Sequence, residues 1–342
     1  MKAPLSASFT GLVDLASEDL GGLALGCSDD FFAEVANLLK PEPAVFIAEK
    51  FTDRGKWMDG WESRRKRVPG HDWAILQLGV PGQVVGFDVD TAHFNGNQPQ
   101  FVSIEGVHAP RGTSLAALEK MSWMPLLDQS PVRPASQNLF GAIPAGTISH
   151  LRLNMFPDGG IARFRVFGKV RSDWAPSERD AETTKNVPAQ YVDLAGVRNG
   201  GVALACSDAH FGPMNNLLLP ARATNMGGGW ETRRSRQPNK DWILIKLAAR
   251  GVPQVVELDT AFFCGNFPDR AQIETIDAAD ARITDLIASD RWQLLLPETK
   301  LAADTRFFFA ELKSAAPATH ARVTIFPDGG ISRLRLWGTR DG

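Results

Sequence analysis

Two halves of this chain repeat each other in order, and that repetition limits what it can fold into. VDLAS at 13–17 matches VDLAG at 192–196, CSD at 27–29 matches 206–208, and NLL at 37–39 matches 216–218, all at an offset of 179. GWESRR at 60–65 then matches GWETRR at 229–234 at an offset of 169, which DW (72–73, 241–242), DT (90–91, 259–260) and GN (96–97, 265–266) keep. FPDGGI at 156–161 returns unchanged at 326–331. One ten-residue length difference and one single-residue shift align the halves throughout, so the chain is a tandem duplication. Each copy spans about 150 residues, too long for a solenoid unit and long enough for its own core. The expected units are 1–169 and 188–342, with the charged, proline-containing stretch 170–187 as a linker.

Within a copy the pattern is mostly β. AILQL (74–78), VVGFDV (84–89), SHLRLNMF (149–156) and IARFRVFG (161–168) are short runs rich in β-branched and aromatic residues, bounded by Gly and Pro. SLAALEKM (114–121) and ARITDLIAS (281–289) are the short helix candidates. Long amphipathic helices alternating with strands are missing, which argues against an α/β fold and for a β-sandwich in each half.

FPDGGI has turn chemistry: Pro presets φ, and Asp-Gly-Gly tolerates positive φ. Between two alternating strands it reads as a hairpin, with Phe156 opposite Ile161, Asn154 opposite Arg163, Arg152 opposite Arg165 and His150 opposite Phe167. That register puts Leu151, Leu153, Met155, Phe164 and Val166 on the core face. Like charges opposite one another are unfavourable, so an anion, a carboxylate or open solvent must lie over Arg152 and Arg165. A bound carboxylate ligand is the functional reading, and a structural ion pair or simple solvation is the plain one.

Two loops carry the other candidates. In GWESRR and GWETRR, Glu62 and Glu231 suit proton transfer, and Arg64, Arg65, Arg233 and Arg234 suit an anion. An internal Glu–Arg network that fixes the loop is the competing reading. DVDTAHFNGN (88–97) corresponds to ELDTAFFCGN (257–266): Asp90 and Asn97 are shared, whereas His93 becomes Phe262. Asp88, Asp90 and His93 loosely suggest a divalent metal, but no HxH, HExxH or Cys-His spacing supports one, so no metal is expected. Backbone-bonded turns are the alternative role for Asp90 and Asn97. Asp30, Phe31, His71, His93 and the longer 40–59 loop occur in one copy only. Cys27 and Cys206 sit in apolar surroundings and read as structural thiols.

A net charge of −2 gives no reason to expect nucleic acid or an anionic membrane as partner. No apolar run approaches the ~20 residues of a membrane span. MKAPLSASFTG lacks the apolar core of a signal peptide and three cysteines cannot all pair, which points to a reducing cytoplasm.

SDDFF (28–32), GKWMDGWESRR (55–65), HDW (71–73), DVDTAHFNGN (88–97) and both FPDGGI runs resemble the allantoicase (allantoate amidinohydrolase) family, and the likeness covers nearly the whole chain. The resemblance implies two jelly-roll β-sandwiches of the galactose-binding-like type. It also implies a hydrolase acting on C–N bonds in linear amidines, converting allantoate and water to ureidoglycolate and urea in purine breakdown. An Arg fork is a natural receptor for the carboxylate of that small-molecule substrate. The expected proton-transfer groups are Glu62, Asp90 and His93. The expected substrate contacts are Arg64, Arg65, Asn97, Arg152, Arg165, Glu231, Arg233 and Arg234. No cofactor is expected, and a homo-oligomer is. The competing class is a non-catalytic tandem ligand-binding protein, which urea release from allantoate distinguishes.

Overall fold

The computed structural model describes residues 9–174, 179–235 and 239–341. The chain divides into two compact units, Met1–Arg171 and Ser172–Gly342. Each is built around one 19-residue strand, Asp72–Asp90 or Asp241–Asp259.

That strand changes partners halfway along. Its first half lies between Leu23–Cys27 and Ile148–Phe156, and beyond the latter come Phe101–Val107 and Met124–Pro131. Its second half lies between Gln137–Gly141 and Arg163–Val170, with Val13–Asp14 outside. The change falls at the GVPG run 79–82, where a side chain on Gly82 would stand 2.6 Å from the Lys169 carbonyl oxygen. The second unit repeats the scheme around Asp241–Asp259.

The expected core face is correct. Leu151, Leu153, Met155, Phe164 and Val166 are fully buried, and Phe87 stacks on Phe164 with ring centroids 5.9 Å apart. The short helices also form, at Leu115–Leu118 and Ile283–Ala288.

The hairpin register is wrong. Ile148–Phe156 and Arg163–Val170 do not pair with each other; they flank opposite halves of the long strand. Arg152 therefore faces Ile75 and Glu105, and Arg165 faces Asp88. Alternation fixes which face of a strand is buried but not which strand lies beside it. Here each strand's backbone groups are taken by the long central strand.

Where the sequence suggests a linker over 170–187, the strand of the first unit runs on to Val170, and a helix forms at Ala181–Asn186. Asp180 caps that helix, accepting the Thr183 N–H at 2.8 Å, and also takes the Arg306 guanidinium at 2.6 Å. Part of this stretch is thus packed on the second unit. No described helix is long and apolar enough to cross a membrane.

Candidate functional site

FPDGGI binds two loops together. Gly160 and Ile161 pair with Glu62 and Trp61. Ser63 donates its N–H to the Gly159 carbonyl at 3.0 Å, and Gly160 donates to the Asn97 carbonyl at 2.7 Å. Asp158 accepts the Lys66 backbone N–H at 2.8 Å. One run therefore joins the GWESRR segment to the NGN turn. Glycine is needed twice: Gly159 has φ +141°, and a side chain on Gly160 would fall 2.0 Å from the Phe94 ring. The second unit repeats each bond. Gly330 pairs with Glu231, Thr232 donates to Gly329 at 3.1 Å, Gly330 donates to Asn266 at 2.8 Å, and Ser235 donates to Asp328 at 2.6 Å.

The tryptophans anchor these loops. Trp61 and Trp230 are fully buried and donate their indole N–H to the carbonyls of Asp29 (2.8 Å) and Asp208 (2.9 Å). Truncating such a ring costs about 3–5 kcal/mol.

The stitch brings Glu62 to Asn97, whose amide donates to Glu62 Oε1 at 2.9 Å. Asn266 donates in the same way to Glu231. Burial raises the Glu62 carboxyl above its ordinary range, against the bond from Asn97, which favours the charged form. In the second unit a cavity of about 520 Å³ opens here, and Glu231, Arg234, Asn266 and Asp328 all line it.

The consecutive arginines divide their tasks. Arg64 is held on Asp29, through its backbone N–H at 3.0 Å and its Nε at 2.6 Å. Arg233 is held likewise on Asp208, at 2.6 and 3.3 Å. Burial alone would raise Asp29, but the bonds from Arg64 and from the Phe31 N–H outweigh it and hold this carboxyl below its ordinary range. Arg65 and Arg234 are exposed, and no hydrogen bond or ion pair occupies either among the described residues. Arg234 lies exposed at the cavity of the second unit, where a guanidinium offers charge-assisted hydrogen bonds to an anion.

The other candidates are engaged elsewhere. Asp90 accepts the Ala92 N–H at 2.8 Å in its own turn. His93 Nε2 lies 3.1 Å from the Ala44 carbonyl and its ring stacks on Phe46, so it fastens the 40–59 segment. Their counterparts, Asp259 and Phe262, do not line the cavity. Arg152 pairs with Glu105 at 3.6 Å over the Trp123 ring, and Arg165 pairs with Asp14 at 3.4 Å, which is the plain reading of that pair. Cys27 is half-buried, and burial pushes its thiol up to about 11. Among the described residues no group of three or more His, Cys, Asp and Glu could hold a metal ion.

Sequence reasoning missed Asp29 and Asp208, which select the arginine that stays free, and Asp158 and Asp328, read only as turn residues. The signal was available for the second pair, because an acid needed only for a turn need not recur beside the same glycines.

Fold and site together define a duplicated all-β protein whose two copies carry the same asparagine-held glutamate and exposed arginine at one loop end. A family described as "Allantoicase repeat" matches residues 13–171 and 192–341. The chain is 46% identical to "Probable allantoicase 1" of Burkholderia mallei, over 96% of this chain and 95% of that one. It is 40% identical to the allantoicase of Dictyostelium discoideum, over 94% and 86%. The crystal structure of allantoicase from Saccharomyces cerevisiae superposes with a TM-score of 0.81 at 34% identity, covering 96% and 93%. The chain belongs to the allantoicase family, hydrolases of purine (allantoin) degradation.

Proposed function

We propose that the chain hydrolyses allantoate to ureidoglycolate and urea at the loop end joined by FPDGGI, in one or both repeats. The observation that carries this is the cavity of the second repeat, lined both by Arg234, unoccupied among the described residues, and by Glu231, held by Asn266; Arg65 and the Asn97-held Glu62 are their equivalents in the first. Arg65 and Arg234 receive the substrate carboxylate. Glu62, with its raised pKa, takes a proton from the nitrogen of the ureido arm that stays and returns it to the departing nitrogen. Urea leaves, the remaining arm becomes an acylimine, and water adds to give ureidoglycolate. Asn97 orients the carboxyl. Asp90 and His93 fix loops in this reading, and Arg64 and Arg233 hold the strand from which their neighbours project.

Each repeat, 1–169 and 188–342, is read as a jelly-roll sandwich of the galactose-binding-like type, supported by the partner change along the central strand. Three free cysteines fit a reducing cytoplasm. Exposed Val45, Phe46, Ile47 and Phe51 on the 40–59 segment support a homo-oligomer. The proposed chemistry needs side chains only. Purified protein with allantoate should release urea, assayed with and without added divalent metal; no urea in either arm sinks the reading.

A further inference from the structure

We infer that Asp158 and Asp328, the acids of the two FPDGGI runs, are substrate-contacting residues that bind the ureido N–H groups and set the preference for a ureido substrate. The inference rests on the functional reading above and extends it to a residue that the turn chemistry seemed to explain fully.

In each repeat one carboxylate oxygen of this aspartate accepts a backbone N–H, from Lys66 at 2.8 Å or Ser235 at 2.6 Å. Among the described residues no donor satisfies the other oxygen. Asp328 lines the same cavity as Glu231, Arg234 and Asn266, and it sits on the glycine pair that seats Asn266 and Glu231. Among the described residues no cation is bonded to either aspartate. Asp328 is half-buried at this cavity, so its second oxygen can exchange water for a ligand N–H, whereas a second anion there would be repelled; Asp158 is its half-buried equivalent.

Allantoate supplies both demands at once. Its carboxylate goes to the guanidinium and a ureido N–H goes to the aspartate, so the two charges sort the ends of the molecule. A hydroxy acid of similar size satisfies the arginine but offers the aspartate no comparable set of donors. Sites built around a hydrogen-bonding group reject analogues that leave that group unpaired. The duplicated hexamer thus has two tasks: its glycines hold the loops together, and its aspartate reads the substrate.

Asp158→Asn and Asp328→Asn, singly and combined, test this. Asparagine keeps an oxygen for the Lys66 or Ser235 N–H, and thermal melting checks that the fold is retained. Two readouts are compared, kcat/KM for allantoate and the inhibition constant of glycolate, a carboxylate without ureido groups. The inference predicts a roughly ten- to hundredfold fall in kcat/KM for allantoate in the double variant, carried mainly by KM. Glycolate should bind as well as before or more tightly, because a negative charge has left the pocket. A purely structural aspartate would weaken both ligands together or neither, and either result overturns the inference. The single variants show which repeat reads the substrate. A wild-type protein that releases no urea overturns the functional reading and this inference with it, whereas an active wild type with an unchanged double variant overturns this inference alone.

Discussion

The two repeats agree at their loop ends and differ on the outer face of the long strand. At the loop end the bonds match one for one: glutamate to asparagine, stitch glycine to asparagine carbonyl, aspartate to backbone N–H, first arginine to a CSD aspartate. On the strand face, Glu257 receives Arg306 at 2.7 Å and the Trp337 indole N–H at 2.8 Å, and Asp259 receives Arg222 at 2.9 Å. The positions that supply Arg306 and Trp337 hold Gln137 and Phe167 in the first repeat. Asp88 is left with the Asn138 N–H at 3.2 Å. Burial, and next the charge of Asp90, push the Asp88 carboxyl up to about 6. Sheet faces can be compensated in different ways, whereas a pocket that holds one small molecule, as proposed for the loop end, cannot. The difference singles out the loop end as the region whose side-chain bonds the two halves share.

The largest expected effect comes from removing both carboxyls. Glu62→Gln with Glu231→Gln should lower kcat by about a hundredfold or more in a urea-release assay. Each single variant should keep about half the turnover if the two pockets are equivalent. If one single variant matches the double and the other matches wild type, only one repeat catalyses.

Arginine truncation comes next. Arg65→Ala with Arg234→Ala should lower kcat/KM by roughly ten- to hundredfold per working pocket. Arg64→Ala with Arg233→Ala should instead cost about 1 kcal/mol or less per exposed pair in stability, with a smaller kinetic change. Equal kinetic losses from the two double variants would break the division of tasks between consecutive arginines.

The strand face makes a stability prediction. Asp88 binds its proton more tightly folded than unfolded, so its support for the fold is complete below its ordinary value of 3.8 and is lost as pH rises through about 6. Asp88→Asn should therefore stabilise the first repeat at neutral pH, by up to about 3 kcal/mol. Glu257→Gln should destabilise the second, because Arg306 loses its buried partner. Denaturant melts at pH 7 check both signs, and the same sign in both repeats would contradict the comparison. The smallest effect belongs to His93→Phe, which copies the second repeat and should leave kcat/KM within about twofold of wild type.

Much of this was legible in the sequence. Matched offsets exposed the duplication, and alternation picked the buried face of 149–156 correctly, because both follow from local pattern. The neighbour of each strand was not legible: Arg152 and Arg165 alternate as in a hairpin, yet a distant strand takes both backbones. Of the two arginines in GWESRR, only the position of Asp29, 35 residues earlier, decides which is free. His93 is suited to proton transfer by residue type, and its contact with Ala44 in the longer 40–59 segment was not legible from the sequence.

The most direct test is a crystal structure of the Glu62→Gln, Glu231→Gln protein soaked with allantoate. The account predicts the substrate carboxylate on Arg65, Arg234 or both, with a ureido arm between the substituted glutamine and Asp158 or Asp328. Allantoate bound instead against Asp90 and His93, or over Arg152 or Arg165, with the FPDGGI loop ends empty, would contradict it.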